Sequence, residues 1–262
     1  MFGEYGVWLR QDVWVERPDL AAELEEQGFG TVWVGGSPEG DLVVPEQLLG
    51  HTRTITVATG IVNVWTAGAA DVTRSFHRVG NDRLVLGVGA GHHVNRGYTK
   101  PYTKLVSYLD ELDVPSSRLV LAALGPKVLR LAAERTAGAH PYLGPRTHTE
   151  LARSVIGDRE LAPEVTVVVE DDPVPARAAA REFLKTYLAL PNYTNNWLRH
   201  GFTEADFANG GSDRLVDELI AWGTPEEIAA RLEEHRRLGA SHVAVQSLNG
   251  HYDLLAKALR LR

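Results

Sequence analysis

The sequence predicts a (β/α)8 barrel, and three observations predict it. Short apolar runs rich in β-branched residues alternate with amphipathic segments along almost the whole chain. Eight such strand–helix units fit into 262 residues, the length of one barrel. Several of the apolar runs lead straight into glycine and polar residues, as where Leu84–Val88 is followed by Gly89, Gly91, His92, His93 and Asn95. An apolar run of this kind reads as a strand buried on both faces, and ligands of parallel α/β folds sit beyond the carboxyl ends of such strands. An open doubly wound sheet is the alternative, and the number of crossovers favours closure.

The first strand is read at Tyr5–Leu9, followed by a helix at Pro18–Gln27 whose Leu20, Ala21 and Leu24 share a face and which Gly28 stops. Thr31–Gly35 is the second strand, with a short helix at Pro45–His51. Ile55–Val62 is the third, with a helix at Ala69–Val79; Leu84–Val88 is the fourth, with a helix at Pro101–Leu112. Tyr102, Leu105, Val106 and Leu109 lie on one stripe of that helix. Arg118–Ala123 and Ala139–Tyr142 are the fifth and sixth strands, with helices at Pro126–Thr136 and Thr147–Ile156. Val165–Glu170 is the seventh, leading into a long helix at Pro173–Leu190. His242–Ser247 is the eighth, closed by a helix from Tyr252.

One region breaks this rhythm. Pro191–Asp213 is rich in Asn, Gly and aromatics, and two further helices, Arg214–Trp222 and Pro225–Leu238, follow it. It reads as an insertion at the rim before the last strand, within one barrel domain spanning 1–262. A functional loop, a dimer contact and a packed flap are all open readings.

Composition narrows the function. The formal charge of −7 gives no basic face for nucleic acid. The absence of cysteine excludes disulfides, thiolate metal sites and thiol nucleophiles. No segment approaches the roughly 20 apolar residues that span a bilayer, so a cytoplasmic protein with no membrane partner is expected. The predicted strand ends carry no carboxylate pair, which argues against glycosidase chemistry. His92, His93 and His140 lack a nearby acidic partner, so no metal site is expected. The Gly87, Gly89, Gly91 spacing is not that of a Rossmann turn, and no G-x-S-x-G elbow exists. Gly125-Pro126-Lys127 opens a helix, where free N–H groups and a cation suit an anion; a plain turn is the other reading. A neutral polar cavity with an anion site on one side suits a large organic cofactor carrying phosphate.

At these residues the chain resembles the luciferase-like superfamily of flavin- and deazaflavin-dependent oxidoreductases, and within it the coenzyme F420-dependent branch. The resemblance covers nearly the whole chain. It rests on Thr31–Gly35, Ala58–Trp65, Leu86–His92, Ala122–Lys127, Gly138–Tyr142 and Leu190–Tyr193. It implies a barrel with the deazaflavin across its C-terminal mouth. A non-prolyl cis peptide in the third strand is expected to support the ring, and the matching bond is Gly60–Ile61. Asn63, Gly89 and Gly91 are implied cofactor contacts. His92 matches the acid/base position of one sugar-phosphate dehydrogenase branch, with Asn95 at a cofactor contact; His93 is expected to point away. Leu124, Gly125, Lys127 and Val128 match the loop that holds the phosphate side. The chain departs from many relatives after the second strand, where Gly35-Gly36-Ser37 replaces an Asp-His pair.

The resulting expectation is an F420-dependent oxidoreductase acting on a small-molecule substrate, as a homodimer. His92 would manage the proton that accompanies the hydride. The alternatives are an FMN-dependent monooxygenase on the same barrel and a cofactor-free barrel with a binding role.

Overall fold

The computed structural model describes residues 1–91 and 100–261. The chain begins with β1 (Tyr5–Arg10), α1 (Gln11–Glu16), α2 (Leu20–Glu26), β2 (Thr31–Gly35), α3 (Val43–His51), β3 (Thr56–Gly60) and β4 (Val62–Asn63). It continues through α4 (Ala69–Val79), β5 (Leu84–Gly89), α5 (Pro101–Glu111), β6 (Leu119–Leu121), α6 (Pro126–Arg135), β7 (Gly138–Ala139) and α7 (Arg146–Ile156). The last part holds β8 (Glu160–Leu161), β9 (Glu164–Val169), α8 (Pro173–Leu188), α9 (Pro191–Arg199), α10 (Asp213–Leu219), β10 (Ile220–Gly223), α11 (Pro225–Arg237), β11 (Val243–Ser247) and α12 (Tyr252–Ala258).

The strands pair in parallel in the order β10-β9-β11-β1-β2-β3-β5-β6-β7-β8, with β4 on β5. Two staves of this barrel are each broken into two pieces. β3 and β4 are one stave interrupted at the Gly60–Ile61 peptide, which is cis. β8 and β9 are one stave interrupted at Ala162 and Pro163. That second stave closes the ring. On one side Ala162 N donates to Ala139 O and Glu164 N to Pro141 O; on the other Ala244 N donates to Pro163 O. The eight staves and their outer helices form the expected (β/α)8 barrel.

Burial follows strand alternation. Val32, Val34, Val57, Leu84, Leu86 and Val245 point outward into the layer between sheet and helices. Trp8, Trp33, Ala58, Val85, Val120, Ala162 and Ala244 fill the interior with Phe2. The rings fit because glycine stands opposite them. A Cβ at Gly35 would lie 2.1 Å from the Trp8 ring, and one at Gly6 would lie 2.7 Å from the His242 ring.

Some elements differ from the sequence reading. α1 is a helix absent from the prediction; it buries Trp14, whose indole N–H donates to the carbonyls of Leu9 and Trp33. Six residues containing Val and Trp carry too little periodicity to reveal it. Arg214–Trp222 is not one helix. Ser212 caps α10 at its start, and the chain then turns into β10, pairing Ile220 with Thr166 and Trp222 with Val168. β7 is short, so the upper part of β9 has free backbone groups that β10 satisfies. Pro191–Asp213 contains α9 and packs as a flap rather than an open loop. Tyr193, Trp197 and Phe202 share a core with Leu184, Leu215, Ile220, Leu143 and Val168. Among the described residues no helix is long and apolar enough to cross a membrane.

Candidate active site

The carboxyl ends of β1, β2, β3, β5, β6, β7 and β11 form the mouth. Register brings Arg10, Gly35 and Gly60 into one row across β1, β2 and β3. Glycines thin this rim. A Cβ at Gly89 would lie 2.8 Å from Ala122 Cβ and 3.1 Å from Ile61, so β5 presses bare backbone against the stave break. Gly60, Ile61 and Gly89 are therefore brought together at this break, and Gly91 lies against Asn63.

Asn63 stands at the same break with its side chain already used. Its Oδ1 accepts from Trp65 N at 3.0 Å, and its Nδ2 lies where a Cβ at Gly91 would be. It holds the turn after β4 and seats Gly91. Leu124 and Gly125 follow β6; the Leu124 carbonyl accepts from His148 Nε2 at 2.9 Å. Gly125 caps α6 without a side-chain hydrogen bond, and a Cβ there would meet nothing within 4 Å. Lys127 is exposed, and Val128 packs against the core between sheet and helices. Val128 is thus placed for packing. His92, His93 and Asn95 lie outside the described residues.

Beneath the rim runs a column of buried aromatic and imidazole rings. His242 Nδ1 donates to Gly3 O at the closed end, and its Nε2 accepts from Trp33 Nε1 at 3.0 Å. His140 stacks on Trp33 with centroids 4.0 Å apart and planes 10° from parallel. Its Nδ1 lies 2.6 Å from Ala162 O. A carbonyl only accepts, so Nδ1 carries the proton and Nε2 is a lone pair. Burial lowers the His140 pKa to about 4 and the His242 pKa to about 3, so both rings are neutral.

Above His140, Tyr142 joins the barrel to α8. Its hydroxyl donates to Gln246 Oε1 at 2.8 Å and pairs with Tyr187 Oη at 2.8 Å. The Tyr142 ring tilts against Trp8, with centroids 5.2 Å apart. Burial raises the pKa of both tyrosines, that of Tyr187 to about 12. Glu164 is fully buried close by, accepting from Leu143 N and Thr166 Oγ1. Burial lifts its pKa to about 8, which keeps it protonated at neutral pH. The mouth therefore has an uncharged aromatic floor.

Trp8, Glu164 and Tyr187 are absent from the sequence reading of the site. Trp8 had a signal, being two positions after Gly6 on a strand whose alternate residues point inward. Tyr187 had none, because nothing in a long amphipathic helix says which turn meets a barrel mouth. A separate cleft of about 500 Å³ lies between Arg146, His200, Phe202, Arg214 and Leu238, on the outside of the barrel.

A family model described as luciferase-like monooxygenase matches residues 92–242. No curated protein matches the chain. An F420-dependent secondary alcohol dehydrogenase, solved with an F420–acetone adduct, has the same fold with a TM-score of 0.75 at 15% identity. The match covers 100% of this chain and 99% of that one. The coenzyme F420-dependent tetrahydromethanopterin reductase of Methanopyrus kandleri matches with a TM-score of 0.71 at 13% identity, covering 100% of both chains. The FMN-bound oxygenating constituent of 3,6-diketocamphane monooxygenase from Pseudomonas putida matches with 0.67 at 15%, covering 99% of this chain and 96% of that one. At such identities the likeness is one of fold.

Proposed function

The chain belongs to the luciferase-like monooxygenase family, and from that premise we propose a coenzyme F420-dependent oxidoreductase that moves a hydride between the deazaflavin and a small organic substrate. The observation that carries this reading is the bare rim of Gly60, Gly89 and Gly91 at the stave break, over an uncharged aromatic floor. A flat ring can approach such a backbone closely, and a neutral floor suits hydride transfer without a buried counter-charge. Trp8 Nε1 and His140 Nε2, both buried and without partners among the described residues, supply polar atoms facing that rim. F420-dependent enzymes and an FMN-bound monooxygenase both share this fold, so the choice of deazaflavin rests on the sequence resemblance to the F420-dependent branch.

Gly60, Ile61, Gly89 and Gly91 would bear the ring, and Asn63 would hold their backbone in place. The uncapped start of α6 at Gly125, with Lys127 in its first turn and Leu124 before it, would take the phosphate side. Asn95 is carried as a contact on the resemblance alone, and Val128 as support for that helix end. When bound, a deazaflavin supplies two-electron hydride chemistry, leaving one proton for the protein to manage. His140 is too weak a base at neutral pH for that task, and the Tyr142 and Tyr187 hydroxyls are too weakly acidic. His92 is the proposed proton carrier, because histidine ordinarily titrates near neutrality. A small-molecule substrate and a cytoplasmic homodimer complete the reading.

Fluorescence titration tests it. Saturable binding of F420 without binding of FMN is the expected result. Binding of FMN alone would favour a monooxygenase, and binding of neither a cofactor-free barrel.

A further inference from the structure

The cleft of about 500 Å³ outside the barrel is walled by the first turns of α7, by α10 and by the end of α11. Its volume falls within the roughly 300–1,000 Å³ typical of small-molecule sites. It shares no lining residue with the mouth. The lining carries three arginines, Arg146, Arg214 and Arg237, and three glutamates, Glu150, Glu218 and Glu234. Most of these charges are already committed. Arg146 donates to both Glu218 and Glu234, and Arg231 donates to Glu218 from behind. Arg214 donates to Asp206 and to the Gly201 carbonyl, with its guanidinium 4.6 Å from the centroid of the Phe202 ring. Glu150 and Arg237 differ. Both side chains are exposed, and neither makes a hydrogen bond or ion pair with the other or with any other described residue. Phe202, Leu238 and Pro145 add apolar surface to the same cleft.

We propose that this cleft binds a small apolar zwitterion, an amino acid or dipeptide with aliphatic side chains, its carboxylate on Arg237 and its ammonium on Glu150. A guanidinium presents a planar fork of N–H donors that matches a carboxylate, and a glutamate, which only accepts, matches an ammonium. A simple anion would meet Arg237 but also face the Glu150 carboxylate; a simple amine would meet Glu150 but also face Arg237. A ligand carrying both charges answers both groups and adds no net charge to a lining whose charges already balance. The Arg146 cluster does not compete for it, because its ion pairs are closed on themselves and tie α7, α10 and α11 together as a base. The aliphatic part of the ligand covers Phe202 and Leu238. An amino acid and a dipeptide share this chemistry and differ in the separation of their charged ends, so the experiment must tell them apart.

The test is isothermal titration calorimetry on the full-length protein with L-leucine and with L-leucyl-L-leucine. Two analogues serve as comparisons: 4-methylpentanoate, which is leucine without its ammonium, and 3-methylbutylamine, which is leucine without its carboxylate. Saturable binding of at least one zwitterion is expected, with both analogues roughly tenfold weaker or more, the worth of one hydrogen bond to a charged group. The tighter of leucine and leucyl-leucine identifies the source. Arg237→Ala and Glu150→Gln should each weaken the zwitterion by a similar factor. Both side chains are exposed and unpartnered among the described residues, so neither substitution removes a folding contact. Absence of binding by both zwitterions would overturn the proposal. So would an analogue that binds as tightly as the zwitterion, or a zwitterion whose affinity is the same in both variants. The result is independent of the cofactor, since no residue of the mouth takes part.

Discussion

The imidazole of His140 lies flat on the indole of Trp33, with ring centroids 4.0 Å apart and planes 10° from parallel. Trp33 in turn donates to His242, and His242 to the Gly3 carbonyl at the closed end of the barrel. Stacking sets the plane of His140, and the Ala162 carbonyl sets its rotation within that plane. The barrel axis is therefore a polar column with fixed tautomers, ending in a lone pair at the mouth.

The buried neutral rings predict how stability responds to pH. The pKa values of His140, His148 and His235 fall from 6.5 to about 4, and that of His242 to about 3. Below pH 6.5 the unfolded chain takes up these protons and the folded chain does not. Stability is lost as pH falls from 6.5 toward 4, by up to about 1.4 kcal/mol per pH unit for each histidine. Glu164 has the opposite sign. Its pKa rises from 4.5 to about 8, so its contribution is complete below 4.5 and is lost as pH rises toward 8. Thermal midpoints measured from pH 4 to 9 should peak near neutrality, falling steeply on the acid side and gently on the alkaline side. Glu164→Gln should flatten the alkaline limb; an unchanged limb would mean that Glu164 is already ionised in the fold.

Gly35 carries no side chain because the Trp8 ring fills its place. A Cβ there would lie 2.1 Å from Trp8 Cζ2, and a ring wedged against Tyr142 has little room to retreat. Gly35→Ala should cost roughly 1–3 kcal/mol through overpacking. Gly50→Ala is the control, since a Cβ there meets nothing within 4 Å. Equal unfolding midpoints in urea for the two variants would contradict the packing described.

Lys127 tests the phosphate end. Its exposed side chain stands in the first turn of a helix that has no side-chain cap. Lys127→Ala should weaken F420 binding by about 1 kcal/mol or somewhat more if a charge-assisted hydrogen bond is lost. Unaltered affinity would leave only the backbone N–H groups of α6 as phosphate ligands.

His92→Ala should slow turnover by roughly a hundredfold to ten-thousandfold, the usual loss of a general acid or base, with cofactor affinity nearly intact. His93→Ala should do little. Steady-state F420 turnover with an accepted substrate, and F420 titration, measure both. Full activity in His92→Ala would move the proton to another group, and the low pKa of His140 makes that group a poor substitute.

The sequence by itself determined the alternation of elements and most of their bounds. Thr31–Gly35 and Ala69–Val79 are read to the residue, because strand and helix periodicity are written in side chains a few positions apart. It also marked the glycine rim and, through the family resemblance, the Gly60–Ile61 bond. Tertiary structure alone decided the rest. Ile220–Gly223 became a strand because the upper edge of Glu164–Val169 offered unpaired backbone groups, a fact no local window contains. Trp8 and His140 meet at Gly60 although they lie far apart in the chain, because barrel closure and strand register bring the first, third and sixth staves around one axis. Periodicity tells which face a side chain takes; only the closed ring of hydrogen-bonded strands fixes which inward-facing side chains meet.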